Sequence, residues 1–558
     1  MNFMNDLAKT VSCANNVSVT KNGACGYATT FNPLVDFNFK ITSYRNASDD
    51  QILNDWFDVV SDASISTVTK IKYLFLLRDA RGGLGERRLF RLLAEQSCRR
   101  WEKEMLQVLH LIPEYGRWDD LVNLAFGTPD SIQKEVIDII SNQLDEDYAN
   151  HLKKQEISLL AKWLPSANSH NVTTAKYGKA IASYLGYTPR QYRKILSSLR
   201  EYLRVTEVFM SNKQWSKIDY SQVPSLAALK YRKAFARNDE VRYASYLEAL
   251  KNNEAKVNAS VTSPVDIVHQ YCMNSYYRKP IDDLLEAAWK NIPCDNLSNT
   301  IVVRDGSGSM TCPVSGNSKV TAMDVSTALA IFFAEHSIGA FKNKFITFGS
   351  HPQFVDLSGC QTLRDKLERT YKETDCSSTN IEAVFDMILR TAVRNHYEPD
   401  DIPDILIVSD MEFDSPYCCK NSLNQTLFDT ISEKYRNAGY HLPRLIFNNV
   451  CSRTNTIPVT TNEYGVVLVS GFNQNVLKMV TTGKYDPWDA LLTIIDSPRY
   501  QVIENEIAAA EMREAVNEKL RPTRPERQSR QSRPVCANRN NAVRKGSTSG
   551  AKIKRVPR

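Results

Sequence analysis

Asp305, Ser307 and Ser309 alternate with glycine in "RDGSGSM", directly after the apolar run "TIVV". One carboxylate and two hydroxyls on a tight loop can point inward together, which is a donor set that suits a hard cation. Gly306 and Gly308 are expected to permit the curvature. Two further segments offer donors of the same type. "ETDCSSTN" presents Thr379 before a helical pattern, and "DILIVSD" ends in Asp410, with Asp414 four residues on. A small divalent cation such as Mg²⁺ or Mn²⁺ takes about six oxygens in a near-octahedral shell, few of them carboxylates. A Gly-Ser turn, a capping Thr and a strand-end Asp are each common alone. Their coincidence at three strand exits of one region marks them as a candidate site.

The elements that must position these residues are legible from the hydrophobic pattern. Between 296 and 500, strands such as "NTIVVRD", "NKFITFG", "DILIVSD", "RLIFNNV" and "GVVLVSG" alternate with helices such as "KVTAMDVSTALAIFFAEHS". That alternation predicts an α/β doubly wound, mostly parallel sheet, and ligand sites on such sheets lie beyond the C-terminal ends of the strands. Residues 46–295 read as helix after helix, for example "TVTKIKYLFLLRDA", "ISLLAKWL" and "TPRQYRKILSSLREYL". Many amphipathic helices with short joints predict an all-α helical-repeat array. Residues 1–45 are less regular and are expected to form an arm packed on that array. A closing helix is expected over 501–520, and a disordered tail over 521–558, which has almost no large apolar side chains.

Composition excludes several classes. The twelve Cys form no CxxC pair, and the eight His show no metal-ligand spacing, so a zinc cage or a disulfide framework is not expected. Neither a secretory leader nor a run long enough to span a bilayer is visible, which points to a cytoplasmic protein. No GxxxxGK[ST] loop is present, and no nucleophile and base pair stands near the oxygen cluster, so an enzyme is not expected. The net charge of +7 is unevenly spread: the tail holds twelve Lys and Arg against Glu526 alone, leaving 58 basic and 62 acidic residues in the rest.

The order of elements and the Asp-x-Ser-x-Ser, Thr, Asp series resemble the von Willebrand factor A domain with its metal-ion-dependent adhesion site. The resemblance implies Asp305, Ser307 and Ser309 as first-loop ligands of Mg²⁺, Thr379 as the second-loop ligand and Asp410 as the third-loop residue, often acting through water. "LLRDARGGLGERRLFRLL" and "LIPEYGRWDDLV" upstream of it are similar to the TROVE module of the Ro autoantigen family, and closer still to an uncharacterised TROVE-like family joined to such a domain. In the Ro family the helical half is a ring of HEAT-like repeats that binds RNA, which implies a ribonucleoprotein role here.

Cations that could meet RNA are Arg78, Arg81, Arg87 and Arg88 around the Arg-Gly-Gly turn, and Lys176, Lys179, Arg190, Arg193 and Lys194 among tyrosines. Arg521, Arg524, Arg527, Arg530 and Arg533 in the tail add attraction for phosphate that needs no sequence readout. Solvated helix faces are the competing reading for the first two groups, and a packed core position is the competing reading for Trp118. The expected function is non-enzymatic RNA binding with a Mg²⁺-dependent binding module. The alternative is an assembly scaffold whose cation recruits an acidic protein partner, a reading that the acidic balance of the body favours.

Overall fold

The computed structural model describes residues 15–520 apart from 260–261, 273–279, 295–296, 298, 317, 375, 416–425, 462–463, 473, 476–477 and 479–485. Two compact units are present, Met1–Ala510 and Glu511–Arg558. In the second, the described residues 511–520 are helical. The tail expected to be disordered, with its five candidate arginines, lies outside the described residues.

The first unit contains a helical array and a six-stranded sheet. A short antiparallel hairpin, β1 (Ser18–Val19) and β2 (Cys25–Gly26), precedes them. The sheet strands are β3 (Thr300–Asp305), β4 (Lys344–Phe348), β5 (Gln353–Asp356), β6 (Asp404–Ser409), β7 (Leu445–Asn449) and β8 (Val466–Ser470), in the order β5-β4-β3-β6-β7-β8. Only β5 is antiparallel to its neighbour. The parallel strands read as near-continuous apolar runs because both faces are covered, and β7 and β8 are buried at every residue. β5 exposes three of its four residues, as a sheet edge in water permits.

From β3 the chain moves outward to β4 on one side and then returns to start β6 on the other. The strand order therefore reverses between β3 and β6, which opens a crevice at their C-terminal ends. The helix Ala322–His336 is buried from Ala322 through Ala334. It lies against the sheet on one side and against Pro264–Cys272 of the helical array on the other, so it needs no polar face.

Helices of the array start at hydroxyl caps, and Thr67–Arg78 is buried from Lys70 through Arg78. Ser48 caps Asp49–Ser61, Ser66 caps Thr67–Arg78 and Thr188 caps Pro189–Tyr202, each accepting a backbone N–H of the first turn. The segment "ISLLAKWL" forms a single turn, Leu160–Trp163, and not the longer helix its apolar residues suggest. The N-terminal arm also departs from expectation. Its helix Pro33–Phe39 packs on β8 as well as on Asp49–Ser61. The Asn449 amide donates to the Phe39 carbonyl at 2.8 Å, and Thr42 and Ser470 share a hydrogen bond of 2.9 Å. The arm thus ties the sheet to the array, because its polar backbone finds acceptors and donors at the strand ends.

The "RDARGG" turn is explained by packing. Asp79 is fully buried and accepts both the Nε and the Nη2 of Arg499, the Tyr500 hydroxyl at 3.0 Å and the Arg81 N–H at 2.9 Å. A side chain at Gly83 would place its Cβ 2.0 Å from the Leu76 carbonyl oxygen, so the turn requires glycine for close approach. Tyr115 of the second distinctive segment donates to the Arg499 carbonyl at 2.5 Å. Lys72 is buried and reaches Asp496 at 2.6 Å and Glu504 at 2.9 Å. These bonds clasp the start of the helical array to helices that follow the sheet.

Candidate functional site

Asp305 ends β3, and the chain then turns through Ser307 into a short 3₁₀ segment, Gly308–Thr311. Neither Gly306 nor Gly308 has positive φ, so the turn does not draw on left-handed backbone. Gly306 is needed for close approach instead, since a Cβ there would sit 2.9 Å from Thr347 Oγ1. The Ser307 N–H donates to Asp305 Oδ1 at 2.9 Å, and the Ser307 and Ser309 hydroxyls are 3.0 Å apart. Ser409, the last residue of β6, donates to Asp305 Oδ2 at 2.5 Å. Asp410 follows it and is hydrogen-bonded by Ser309. The second loop is stitched to both neighbours. The Gly308 N–H donates to the Ser377 carbonyl at 3.1 Å, and the Thr379 N–H donates to Asp414 Oδ2 at 2.9 Å. Asp305, Ser307, Thr379 and Asp410 are all buried.

Electrostatics make this cluster unusual. Burial pushes the Asp305 carboxyl upward against its bonds from Ser409 and Ser307. Asp410 is pushed up to about 7, first by burial and then by the charge of Asp305 beside it. Burial and mutual repulsion outweigh the nearby cations, Arg304 for Asp305 and Arg453 for Asp410. Among the described residues, no group of three or more His, Cys, Asp or Glu is placed to hold a metal ion. Any cation here would rest on two carboxylates with the hydroxyls of Ser307, Ser309 and Thr379, a donor set that fits a hard ion.

Sequence reasoning missed the frame around the cluster. Glu412 is fully buried, and its carboxylate accepts the N–H groups of Lys21 at 2.8 Å, Arg453 at 2.7 Å and Thr454 at 2.9 Å. It thereby joins the third loop to the β1–β2 hairpin and to the loop after β7. Asn22, at the hairpin tip, donates to the Glu412 carbonyl at 2.7 Å and to Thr379 Oγ1 at 3.3 Å. Arg453 stands 3.5 Å from Asp410 Oδ2. No spacing rule connects Asn22 with Thr379, which is 357 positions away.

A second feature is a cleft of about 630 Å³ between the helical array and the sheet region. Six cations line it, Arg45, Arg78, Arg81, Arg87, Arg117 and Lys162, against the acids Glu114 and Asp266. Trp118, Trp163 and Phe472 supply aromatic surface. The Arg117 guanidinium lies 4.7 Å from the Trp163 ring centre. Its pKa is pulled down by burial and then by the neighbouring Arg87. Trp118 is half-buried against the core and still borders the cleft.

The structure separates the predicted cations. Arg81 and Arg87 are exposed at the cleft. Arg78 is corrected to a structural residue: it is buried, and its Nε donates to Asp120 at 2.7 Å. Arg88 is likewise committed, to the carbonyls of Tyr44 and Ala47 at 2.9 Å each and to Asp49 at 2.6 Å. Lys176 and Lys179 are exposed on Val172–Tyr184 and do not reach the cleft. Arg190, Arg193 and Lys194 are exposed as well and line a different pocket. Arg45, Arg117 and Lys162 were not legible as a group, because they come from three separated segments.

Comparison with known proteins follows the same division of the chain. Residues 170–295 match the family model described as "Domain of unknown function (DUF2828)", and residues 299–523 match "Domain of unknown function (DUF7788)". The two stretches meet where the helices give way to β3. The chain is also 30% identical over 522 residues to "Uncharacterized protein L728" of Acanthamoeba polyphaga mimivirus, an alignment that covers 86% of this chain and 87% of that one. With most of both sequences aligned at that identity, this chain belongs to the same protein family as the mimivirus protein.

Proposed function

We propose that this protein is a non-enzymatic RNA-binding protein of the Ro type. In this reading its HEAT-like helical array offers the basic, aromatic cleft to single-stranded RNA, and its sheet is a von Willebrand factor A-type domain with a divalent cation. The observation that carries the RNA reading is the cleft itself, where Arg81, Arg87, Arg117 and Lys162 meet Glu114 and Asp266 with tryptophans among them, while Arg45 and Arg78 are paired with Glu86 and Asp120. Phosphates need the cations, and any base can stack on an aromatic face without sequence readout. A single-stranded RNA of uniform sequence, titrated against the full chain, is the direct test. The variant with Arg87→Glu and Arg117→Glu should lose roughly tenfold or more in affinity and show a shallower dependence on salt. Unchanged binding would leave the basic tail as the binder and favour the scaffold reading, which the acidic balance of the body supports.

The cation reading rests on the buried oxygen cluster. Asp305, Ser307, Ser309, Thr379 and Asp410 would hold Mg²⁺ or Mn²⁺, and the bound ion would supply an open position for an acidic oxygen of a partner. Asn22 and Arg453 flank that position and would orient whatever enters it. Mg²⁺ at a hundredfold excess over its Kd should stabilise the protein by about 2–3 kcal/mol. Asp305→Ala should remove that response in thermal melts, and a response of equal size in the variant would refute the site.

A further inference from the structure

Helix Pro189–Tyr202 begins with Arg190, Arg193 and Lys194 in its first two turns. Arg190 in the first turn opposes the helix dipole, while Arg193 and Lys194 lie one turn farther in, beyond most of its reach. Among the described residues none of the three has an ion-pair partner. Farther along the same helix, Arg200 is half-buried, and its neighbours are neutral. Its Nε donates to the Ala161 carbonyl at 2.8 Å, its Nη2 to the Leu164 carbonyl at 2.7 Å and its Nη1 to Ser166 Oγ at 2.8 Å. Burial pulls the Arg200 pKa down, and no carboxylate counters that pull.

These four cations line one pocket of about 580 Å³, in which Glu201 is the only acid among the described lining residues. Asn168 and Gln214 add neutral amides to the lining, and Phe209 contributes an apolar wall. The volume falls within the range of small-molecule sites. Arg200 is committed to its protein acceptors and adds only its charge, whereas the exposed guanidinium forks of Arg190 and Arg193 beside the Lys194 ammonium match the oxygens of a phosphate, and an apolar wall next to them suits a sugar or base.

We propose that this pocket binds the phosphate group of a nucleotide unit, supplied either by a nucleic-acid strand or by a free nucleotide. It shares no lining residue with the cleft that carries the RNA reading, so the two stand or fall separately. An anion settled in the pocket would be attracted by all of these like charges at once.

The test uses the full chain with two probes, a fluorescent single-stranded RNA and free AMP, each titrated with and without inorganic phosphate as competitor. The pocket variant carries Arg193→Gln and Lys194→Gln, both exposed, and an unchanged melting temperature shows that it is folded. Arg190→Gln alone provides a second, milder variant. At least one probe should bind the pocket variant roughly tenfold more weakly than wild type, and inorganic phosphate should compete for that component. AMP binding that is lost in the variant identifies a free nucleotide, whereas loss confined to the RNA identifies a strand. The proposal is overturned if both probes bind both pocket variants as tightly as wild type. It is equally overturned if the cleft variant alone abolishes every phosphate-competed component.

Discussion

Asp79→Ala should destabilise the protein by about 3–5 kcal/mol, the range for removing one partner of a buried ion pair. The loss is large because Asp79 is fully buried and organises four groups at once, the two guanidinium donors of Arg499, the Tyr500 hydroxyl and the Arg81 N–H. Arg499 also stands 4.9 Å from the Tyr115 ring centre, so its displacement disturbs the second distinctive segment. Arg499→Lys should cost less, since it keeps the charge and loses only the fork. Denaturant unfolding measures both changes, and a loss below about 1 kcal/mol for Asp79→Ala would reduce the clasp to an ordinary surface pair.

The same residue carries a pH dependence whose sign is fixed. Burial raises the Asp79 pKa, but the bonds from Arg499 and the Arg81 N–H outweigh it and hold the carboxyl below its usual value of 3.8. A depressed folded pKa contributes stability above the unfolded value and loses it as pH falls through the folded value. Wild type should therefore lose part of its stability below about pH 4, a component that Asp79→Ala lacks. Stability curves that stay parallel for the two proteins down to pH 2–3 would contradict this assignment.

Glu412→Ala should cost about 3 kcal/mol or more, because three backbone N–H groups lose the fully buried carboxylate that accepts them. Its wider effect follows from what those groups belong to. Lys21 lies in the β1–β2 hairpin turn, while Arg453 and Thr454 lie in the loop after β7. With the carboxylate gone, the hairpin retains its contacts through Thr20 and Asn22 but loses its charged anchor. Hydrogen exchange at Lys21, Arg453 and Thr454 should accelerate together, by about a hundredfold or more if local opening becomes easier by the same 3 kcal/mol. Glu412→Gln should fall between, since an amide oxygen still accepts hydrogen bonds. Independent changes at the hairpin and at the β7 loop would show that Glu412 does not couple them. Any Mg²⁺ response should weaken as well, although Glu412 is not among the proposed ligands, because Asp410 and Asp414 share its loop.

The amino-acid sequence alone determined the local architecture. Apolar spacing located helices such as Thr67–Arg78, Asp130–Leu152 and Pro189–Tyr202 and the strands β3 to β8, because a strand or helix face repeats at a period that neighbouring residues reveal. It also placed Asp305 and Asp410 at strand exits, where the topology of a parallel sheet brings loops together, whereas Thr379 lies in a loop between the helices Leu363–Lys372 and Ile381–Asn395 and not at a strand exit as expected. The pairing of charges was decided only by the tertiary structure. Arg78 looked like a rim cation until Asp120 was found beneath it, and Asp79 meets an arginine 420 positions away. Asn22 stands beside Thr379 for the same reason: contact across hundreds of residues depends on how whole elements stack, and no periodicity encodes it. The cleft follows this rule too, since Arg87, Arg117 and Lys162 become one positive surface only when the segments that carry them pack around a common space.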